Sequence, residues 1–291
     1  MNRARLQPAF RFAPSPNGYL HLGHAYSALL NQALARRHGG RFLLRIEDID
    51  VTRCRPEFEQ AIYEDLGWLG LAWEEPVLRQ SEHFARYHAV LAGWRREGAV
   101  YPCMCSRQDI AMAVARREAA TGRPWPRDPD GAALYPGTCR DRPVAEGAPA
   151  ALRMRADAWH GPDDLGWREH ALPDFTPGAW HKAADYAWGD AVLGRKEVPT
   201  SYHLAVVLDD ALQNISHVVR GQDLLAATAL HRRLQQRLGL TPPLYAHHGL
   251  MRDGAGAKLA KSAGSASLRD LRRDGASRED VRRLAGIPDA W

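Results

Sequence analysis

Arg11-Phe-Ala-Pro-Ser-Pro-Asn-Gly-Tyr-Leu-His-Leu-Gly-His24 is the stretch on which the fold turns. Apolar Phe10–Ala13 has the composition of a short buried strand. Pro14, Pro16 and Gly18 interrupt it. From His21 onward, Ala25, Leu29, Leu30, Ala33 and Leu34 recur at helical spacing. Strand, Pro/Gly loop and helix start aim backbone N–H groups and the positive end of a helix dipole at one spot, which suits an anion. Gly23 removes a side chain where a ligand can approach the backbone. His21 and His24 add donors that titrate near neutrality. Taken alone, the stretch fits a plain helix start with two surface histidines equally well.

Working outward, the first helix is expected to end at His38-Gly39-Gly40. Phe42–Ile46 then reads as a buried strand and completes a β–α–β unit. Glu47-Asp48-Ile49-Asp50 places carboxylates at its carboxyl end, the edge where ligands of such sheets bind. Pro56 opens a helix carrying Phe58, Ile62 and Leu66, and Gly67–Trp73 reads as a link. Ser81 is expected to cap a helix through Phe84, Tyr87, Leu91 and Trp94. Residues 100–142 differ in texture: they hold three of the four cysteines, and 119–137 reads as a Pro/Gly-rich loop. Ala151–Arg155 reads as a strand returning to the main body, whereas 157–180 shows no clear period. Ser201–Asp210 reads as a helix and Ile215–Val219 as a strand. Asp223 is the expected cap of a helix through Leu224, Leu230 and Leu234, and Leu244–Leu250 is a further strand. A second β–α–β pattern therefore appears late in the chain. Two short helical patterns, Leu268–Leu271 and Asp280–Leu284, end it.

The expected fold is α/β, a doubly wound parallel sheet with an insertion and short C-terminal helices. Residues 1–99 form the first half of the main domain, 100–142 the insertion, 143–250 the rest, and 251–291 a lysine-bearing loop with the terminal helices. The 291 residues carry a net charge of +5, with 45% hydrophobic and 25% charged side chains, ordinary for a globular chain with a core. The mild basic excess allows a phosphate or nucleic-acid partner without locating one. No apolar run is long enough to span a bilayer, and the basic N-terminus precedes no apolar segment of a signal peptide. A cytoplasmic, monomeric protein with reduced cysteines and no membrane partner is expected.

The chain has no Gly-x-x-x-x-Gly-Lys-Ser/Thr phosphate loop and no Gly-x-Gly-x-x-Gly after a strand. The phosphate-handling candidates are His21-Leu-Gly-His24 and Lys258-Leu-Ala-Lys-Ser262. Together they can bind a triphosphate and stabilise charge on a leaving pyrophosphate. Arg11, Glu47 and Arg220 each stand at or near a strand end, and Tyr202 begins a helix. Two guanidinium groups, a carboxylate and a phenol suit an acidic amino acid, with Glu47 taking its ammonium. Cys103, Cys105 and Cys139 can place three thiolates around one zinc ion. The fourth ligand is open at this point. Tyr135 faces Cys139 across a Pro-Gly turn, but phenolate is an unusual ligand. Cys54 is expected to be an ordinary side chain.

With these residues assembled, the chain resembles the class I aminoacyl-tRNA synthetases. His21-Leu-Gly-His24 is similar to their His-Ile-Gly-His motif, and Lys258-Leu-Ala-Lys-Ser262 to their Lys-Met-Ser-Lys-Ser motif. Arg45-Ile-Glu-Asp-Ile-Asp50, Tyr202-His-Leu-Ala and Val219-Arg-Gly-Gln-Asp-Leu224 resemble the glutamyl branch. Only residues 263–291 follow Ser262, too few for an anticodon-binding domain, so the shorter glutamyl-Q tRNA(Asp) synthetases fit better. The resemblance implies a Rossmann-like catalytic domain with a zinc-bearing insertion. It implies ATP-dependent activation of L-glutamate, with Mg²⁺, and transfer to the queuosine base of tRNA(Asp). It further implies that Arg11, Ser15, Glu47, Tyr202 and Arg220 bind glutamate. His21, Gly23, His24, Lys258, Lys261 and Ser262 then bind ATP, with His21, His24 and Lys261 catalytic. Cys103, Cys105, Tyr135 and Cys139 become the zinc ligands. Charging of a tRNA 3′ end and non-catalytic tRNA binding are the alternatives. Asn17, Tyr19, Val206 and Ala260 depart from the family pattern, and the interval from Cys105 to Tyr135 is long.

Overall fold

A computed structural model describes residues 7–145, 147–159, 161–251 and 266–287. The opening unit forms as its spacing requires: β1 (Ala9–Phe12), α1 (Leu22–Arg37) and β2 (Arg41–Ile46), with β1 and β2 parallel. Both strands are buried apart from Arg41 and apolar apart from Arg11, Arg41 and Arg45, as strands covered on both faces largely are. α2 (Pro56–Trp68) follows, with proline in its first turn. It leads to β3 (Glu74–Arg79), parallel to β2. The sequence reading missed β3. Its Glu-Glu-Pro opening is exposed, and proline sits in sheets where an edge leaves its missing N–H unneeded.

α3 (Phe84–Arg96) is preceded by a single 3-10 turn over Gln80–His83. Its N-cap is His83, not Ser81. The Ser81 hydroxyl and amide instead donate to Asp48 at 2.6 and 2.8 Å, which ties this turn to the acidic loop after β2. β4 (Val100–Cys103), α4 (Arg107–Thr121) and β5 (Ala151–Met154) come next. α4 was not foreseen. Its signal is the capping box of Ser106 with Asp109, and it ends on left-handed Gly122. β5 does not return to the parallel sheet; it pairs antiparallel with β4 and with β8 below.

The aperiodic stretch forms an antiparallel pair, β6 (Gly166–Ala171) and β7 (Thr176–Lys182), and β8 spans Val192–Gly194. α5 (Tyr202–Leu212), β9 (His217–Gly221), α6 (Ala227–Arg237) and β10 (Leu244–His248) supply the late β–α–β unit. β9 and β10 are parallel, and β10 runs parallel to β6. Asp223 does not cap α6, whose N-cap is Ala226; it lies in a 3-10 turn over Gln222–Leu224. α7 (Leu268–Arg273) and α8 (Arg278–Leu284) both start with Ser-Asp capping boxes.

Two sheets, β1-β2-β3 and β7-β6-β10-β9, meet where β9 follows Ser216 beside β1. The Ser216 amide donates to the Ala9 carbonyl at 3.1 Å, and the Ala9 amide donates to Ser216 Oγ at 2.8 Å. Strand order across the junction is thus β3-β2-β1, then β9-β10-β6. The chain reverses its winding between β1 and β9, and in doubly wound sheets such a switch opens a crevice at the carboxyl ends. The C-terminal helices close one face: Leu268 and Val281 are fully buried with Phe10, Leu30 and Ile62. No helix among the described residues is long and apolar enough to cross a membrane.

Candidate active site

The crevice at the β1/β9 switch is a cavity of about 480 Å³. Arg11, Ser15, His21, Gly23, His24, Glu47, Tyr202 and Arg220 all line it, from five separate regions of the chain. The loop between β1 and α1 is pinned to β2 and its continuation: the Glu47 and Arg55 amides donate to the Pro14 and Pro16 carbonyls at 2.9 and 3.0 Å. Ser15 Oγ sits 3.6 Å from Cys54 Sγ, so Cys54 braces this loop from outside the cavity wall.

The start of α1 is more specialised than an open helix end. His21 is its own N-cap: Nδ1 accepts the Gly23 amide at 3.0 Å, and His24 Nδ1 accepts the His21 amide at 3.2 Å. With both Nδ1 atoms accepting, each neutral ring carries its proton on Nε2. Gly23 is needed for this arrangement, because a Cβ there would meet His21 Cε1 at 3.0 Å. The glycine therefore makes room for a histidine ring as well as for a ligand.

Lys258, Ala260, Lys261 and Ser262 lie outside the described residues. The chain on either side of them is at the site. Leu250 and Met251 line the cavity, Ser267 bridges to His21, and the Leu268 amide donates to the Leu20 carbonyl at 2.7 Å.

Arg11 and Arg220 are each 5% exposed. Arg11 donates through Nε to Asp210 at 3.1 Å, which leaves its end-on Nη pair out of that contact. Asp210 also takes Nη2 of fully buried Arg45 at 2.5 Å. Glu47 stands 3.8 Å from Arg45 Nη1. Burial raises the Glu47 carboxyl to about 7 against the pull of Arg45 and Arg11. Burial also pushes Asp210 upward, but Arg11 and Arg45 outweigh it and hold that carboxyl low. Arg220 is engaged on more sides. Nε donates to His247 Nε2 at 3.2 Å and Nη1 to His231 Nδ1 at 3.2 Å. Nη2 reaches Thr228 Oγ1 at 2.8 Å and the Leu224 carbonyl at 3.1 Å. This inventory leaves one Nη1 hydrogen for a ligand. That geometry leaves Arg220 able to offer a single-point contact rather than a bidentate fork.

Sequence reasoning missed Asp210, Arg45, His231, His247 and Glu169. Asp209-Asp210 did carry a signal, two adjacent carboxylates inside the apolar run of α5, both buried. Val206, one of the departures from the family pattern, is 1% exposed in the core with Leu204, Leu230 and Leu234.

The second constellation also assembles. The sulfur atoms of Cys103, Cys105 and Cys139 lie within 4.8 Å of one another. The Tyr135 hydroxyl is 3.2 Å from Cys103 Sγ and 3.4 Å from Cys105 Sγ, and it accepts the Cys139 amide at 2.9 Å. Burial lifts the Cys105 thiol to about 11. Burial also acts to raise Cys139, but hydrogen bonds from Tyr135, the Met104 backbone and the neighbouring thiols bring it down to about 7. Three soft sulfur donors suit zinc in chemistry, and the Tyr135 oxygen is the fourth atom beside them.

Residues 9–286 match the catalytic domain of the class I tRNA synthetases (E and Q). A glutamyl-Q tRNA(Asp) synthetase of Rhodobacter capsulatus is 47% identical over 95% of this chain and 99% of its own length. One from Nocardia farcinica is 41% identical over 97% of this chain and 84% of its own. A Methylobacterium glutamate–tRNA ligase 2 is 40% identical, with 93% of this chain covering 58% of that protein. Among solved structures, a glutamate tRNA ligase from Elizabethkingia meningosepticum in complex with its amino acid superposes with a TM-score of 0.68 at 27% identity. That match covers 93% of this chain and 53% of the other. The parallel sheet, the histidine-capped helix at its switch point and these relatives agree: the chain belongs to the class I tRNA synthetases of the E and Q type and is a ligase-type enzyme.

Proposed function

We propose that the chain activates L-glutamate with ATP and transfers it to the queuosine base of tRNA(Asp). One observation carries the activation step: residues chosen for an acidic amino acid and residues chosen for a triphosphate line one cavity. In this reading Arg11 and Arg220 take the carboxylates of glutamate. Glu47 takes its ammonium, and Ser15 and Tyr202 complete the pocket. A carboxylate oxygen of glutamate attacks the α-phosphorus of ATP, and the bond to pyrophosphate breaks. Nε2–H of His21 and His24 stabilise the charge that builds on the phosphates, together with Lys258, Lys261 and Ser262 and a Mg²⁺ brought by ATP. A hydroxyl of the acceptor then attacks the glutamyl carbonyl and AMP leaves. The acceptor assignment rests on the names of similar proteins, among which the queuosine enzymes of Rhodobacter capsulatus and Nocardia farcinica are 47% and 41% identical to this chain.

The test is exchange of labelled pyrophosphate into ATP. Glutamate is expected to support exchange without tRNA, and Arg220→Ala to reduce it by about a hundredfold or more, as loss of a buried charged partner implies. Equal exchange with aspartate or glutamine refutes the glutamate pocket. Glutamylation of tRNA(Asp) only when it carries queuosine supports the acceptor; charging of tRNA(Glu) refutes it.

Cys103, Cys105, Tyr135 and Cys139 are the residues that would hold zinc, whose chemistry here is a structural crosslink. Purified protein is expected to carry zinc near one per chain, and Cys139→Ser to lose most of it. Zinc-free protein with an unchanged unfolding midpoint counts against the site.

A further inference from the structure

The polar surroundings of Arg220 continue past the cavity wall, along the sheet. β9 and β10 put Arg220 and His247 in register. β10 and β6 put Tyr245 beside Glu169, two residues before His247. Three neighbouring strands thus bring a guanidinium, an imidazole and a carboxylate into one row. Arg220 Nε lies 3.2 Å from His247 Nε2. His247 Nδ1 lies 2.9 Å from Glu169 Oε2, and Glu169 Oε1 accepts the His247 amide at 2.6 Å. A guanidinium has donors only, so His247 Nε2 must accept and the ring proton must sit on Nδ1, facing Glu169. The carboxylate therefore selects the tautomer that Arg220 requires.

The other imidazole obeys the same rule. His231 accepts from Arg220 through Nδ1, and its Nε2 faces His203 Nδ1 at 3.2 Å. Burial depresses both rings, and His203 titrates at about 4. His247 is depressed by burial too, although Glu169 opposes that. Arg220 is thereby held by neutral acceptors. A carboxylate directly on Arg220 would orient it equally well, but it would cancel the charge that a ligand anion needs. Interposing a neutral ring gives orientation while the negative charge stands one side chain further off.

We propose that Glu169 and His247 are positioning residues for Arg220: Glu169 fixes the His247 proton on Nδ1, and His247 Nε2 holds the guanidinium facing the substrate carboxylate. This rests on the reading that Arg220 binds glutamate. Neither residue lines the cavity, so their loss is expected to act on glutamate affinity and to leave the chemistry alone.

The experiment measures glutamate KM, ATP KM and kcat of pyrophosphate exchange, with unfolding midpoints, for the wild type and five variants. His247→Ala is expected to raise glutamate KM about tenfold, with ATP KM and kcat within about twofold. In His247→Gln the amide oxygen reaches the Nε2 position, and most of the affinity returns. His247→Asn, whose amide ends at Nδ1, does not rescue. Glu169→Gln can satisfy only one of two donors and gives an intermediate rise of about threefold. Arg220→Ala is the reference and loses glutamate saturation. If Arg220→Ala abolishes saturation while His247→Ala keeps the wild-type glutamate KM, the positioning role is overturned and the glutamate reading stands. If Arg220→Ala keeps the wild-type glutamate KM, the reading of Arg220 itself fails. Parallel loss of kcat and both KM values in His247→Ala and His247→Gln marks general damage and also overturns the proposal.

Discussion

Arg11 and Arg220 face one cavity and are equally buried, at 5% each, yet their surroundings are opposite. Arg11 rests on Asp210, which also binds Arg45, with Glu47 on the same side and Asp209 next along the helix. That side is close to charge balance. Arg220 rests on two imidazoles, a hydroxyl and a carbonyl, all neutral. Both arrangements satisfy a desolvated guanidinium, but they leave different fields in the cavity. The Arg220 side stays positive and attracts an anion. The Arg11 side can present donors and, through Glu47, a carboxylate to a cation. On the proposed reading, a zwitterion with a second carboxylate would be oriented by this asymmetry rather than by any one residue.

The contrast is broken most forcefully at its charged end. Asp210→Asn keeps shape but leaves Arg11 and Arg45 without their shared counter-charge. It is expected to cost about 3–5 kcal/mol of unfolding free energy, measured by denaturant titration. Because the Asp210 carboxyl is held low in the folded chain, its contribution is present at neutral pH and is lost as pH falls through the acid range. Thr228→Val removes one neutral acceptor from Arg220 and is expected to cost about 1 kcal/mol. Equal costs for the two variants would mean that the two arginines are supported in the same way after all.

What the sequence made legible follows from range. The β1–α1–β2 unit and the β9–α6–β10 unit announce themselves by local apolar spacing, by proline and glycine breaks, and by caps. The strand-end residues Arg11, Glu47 and Arg220 could be read because parallel sheets collect ligands at their carboxyl edge. β3 escaped notice because an exposed edge strand lacks the apolar pattern, and β6–β7 because Thr176–Lys182, with its Thr-Pro-Gly opening and mostly exposed side chains, fits loop and hairpin alike. The supporting residues were illegible for a different reason. Asp210 meets Arg11 across 199 positions and Glu169 meets His247 across 78, and no spacing in the chain encodes those pairings. The histidine cap of α1 lies between the two cases. His21, Gly23 and His24 stand out in sequence as anion binders, while their service to each other depends on ring geometry.

The finest test of the asymmetry uses protons. Glu47 titrates at about 7 in the folded chain because burial penalises its charge more than Arg45 and Arg11 favour it. Its raised value means that it lends stability at low pH, and that this is lost as pH rises through about 7. An ammonium placed against it reverses the penalty and ionises it. Glutamate binding at pH 6 is therefore expected to release a large fraction of one proton, and at pH 8.5 almost none. Calorimetry in two buffers of different ionisation enthalpy measures this directly, per glutamate bound. The Arg220 side is expected to add little to the release, since burial depresses His203, His231 and His247 alike. Glu47→Gln should abolish the release while leaving weaker, pH-independent binding. A release that survives in that variant would place the titrating group elsewhere, and with it the ammonium end of the substrate.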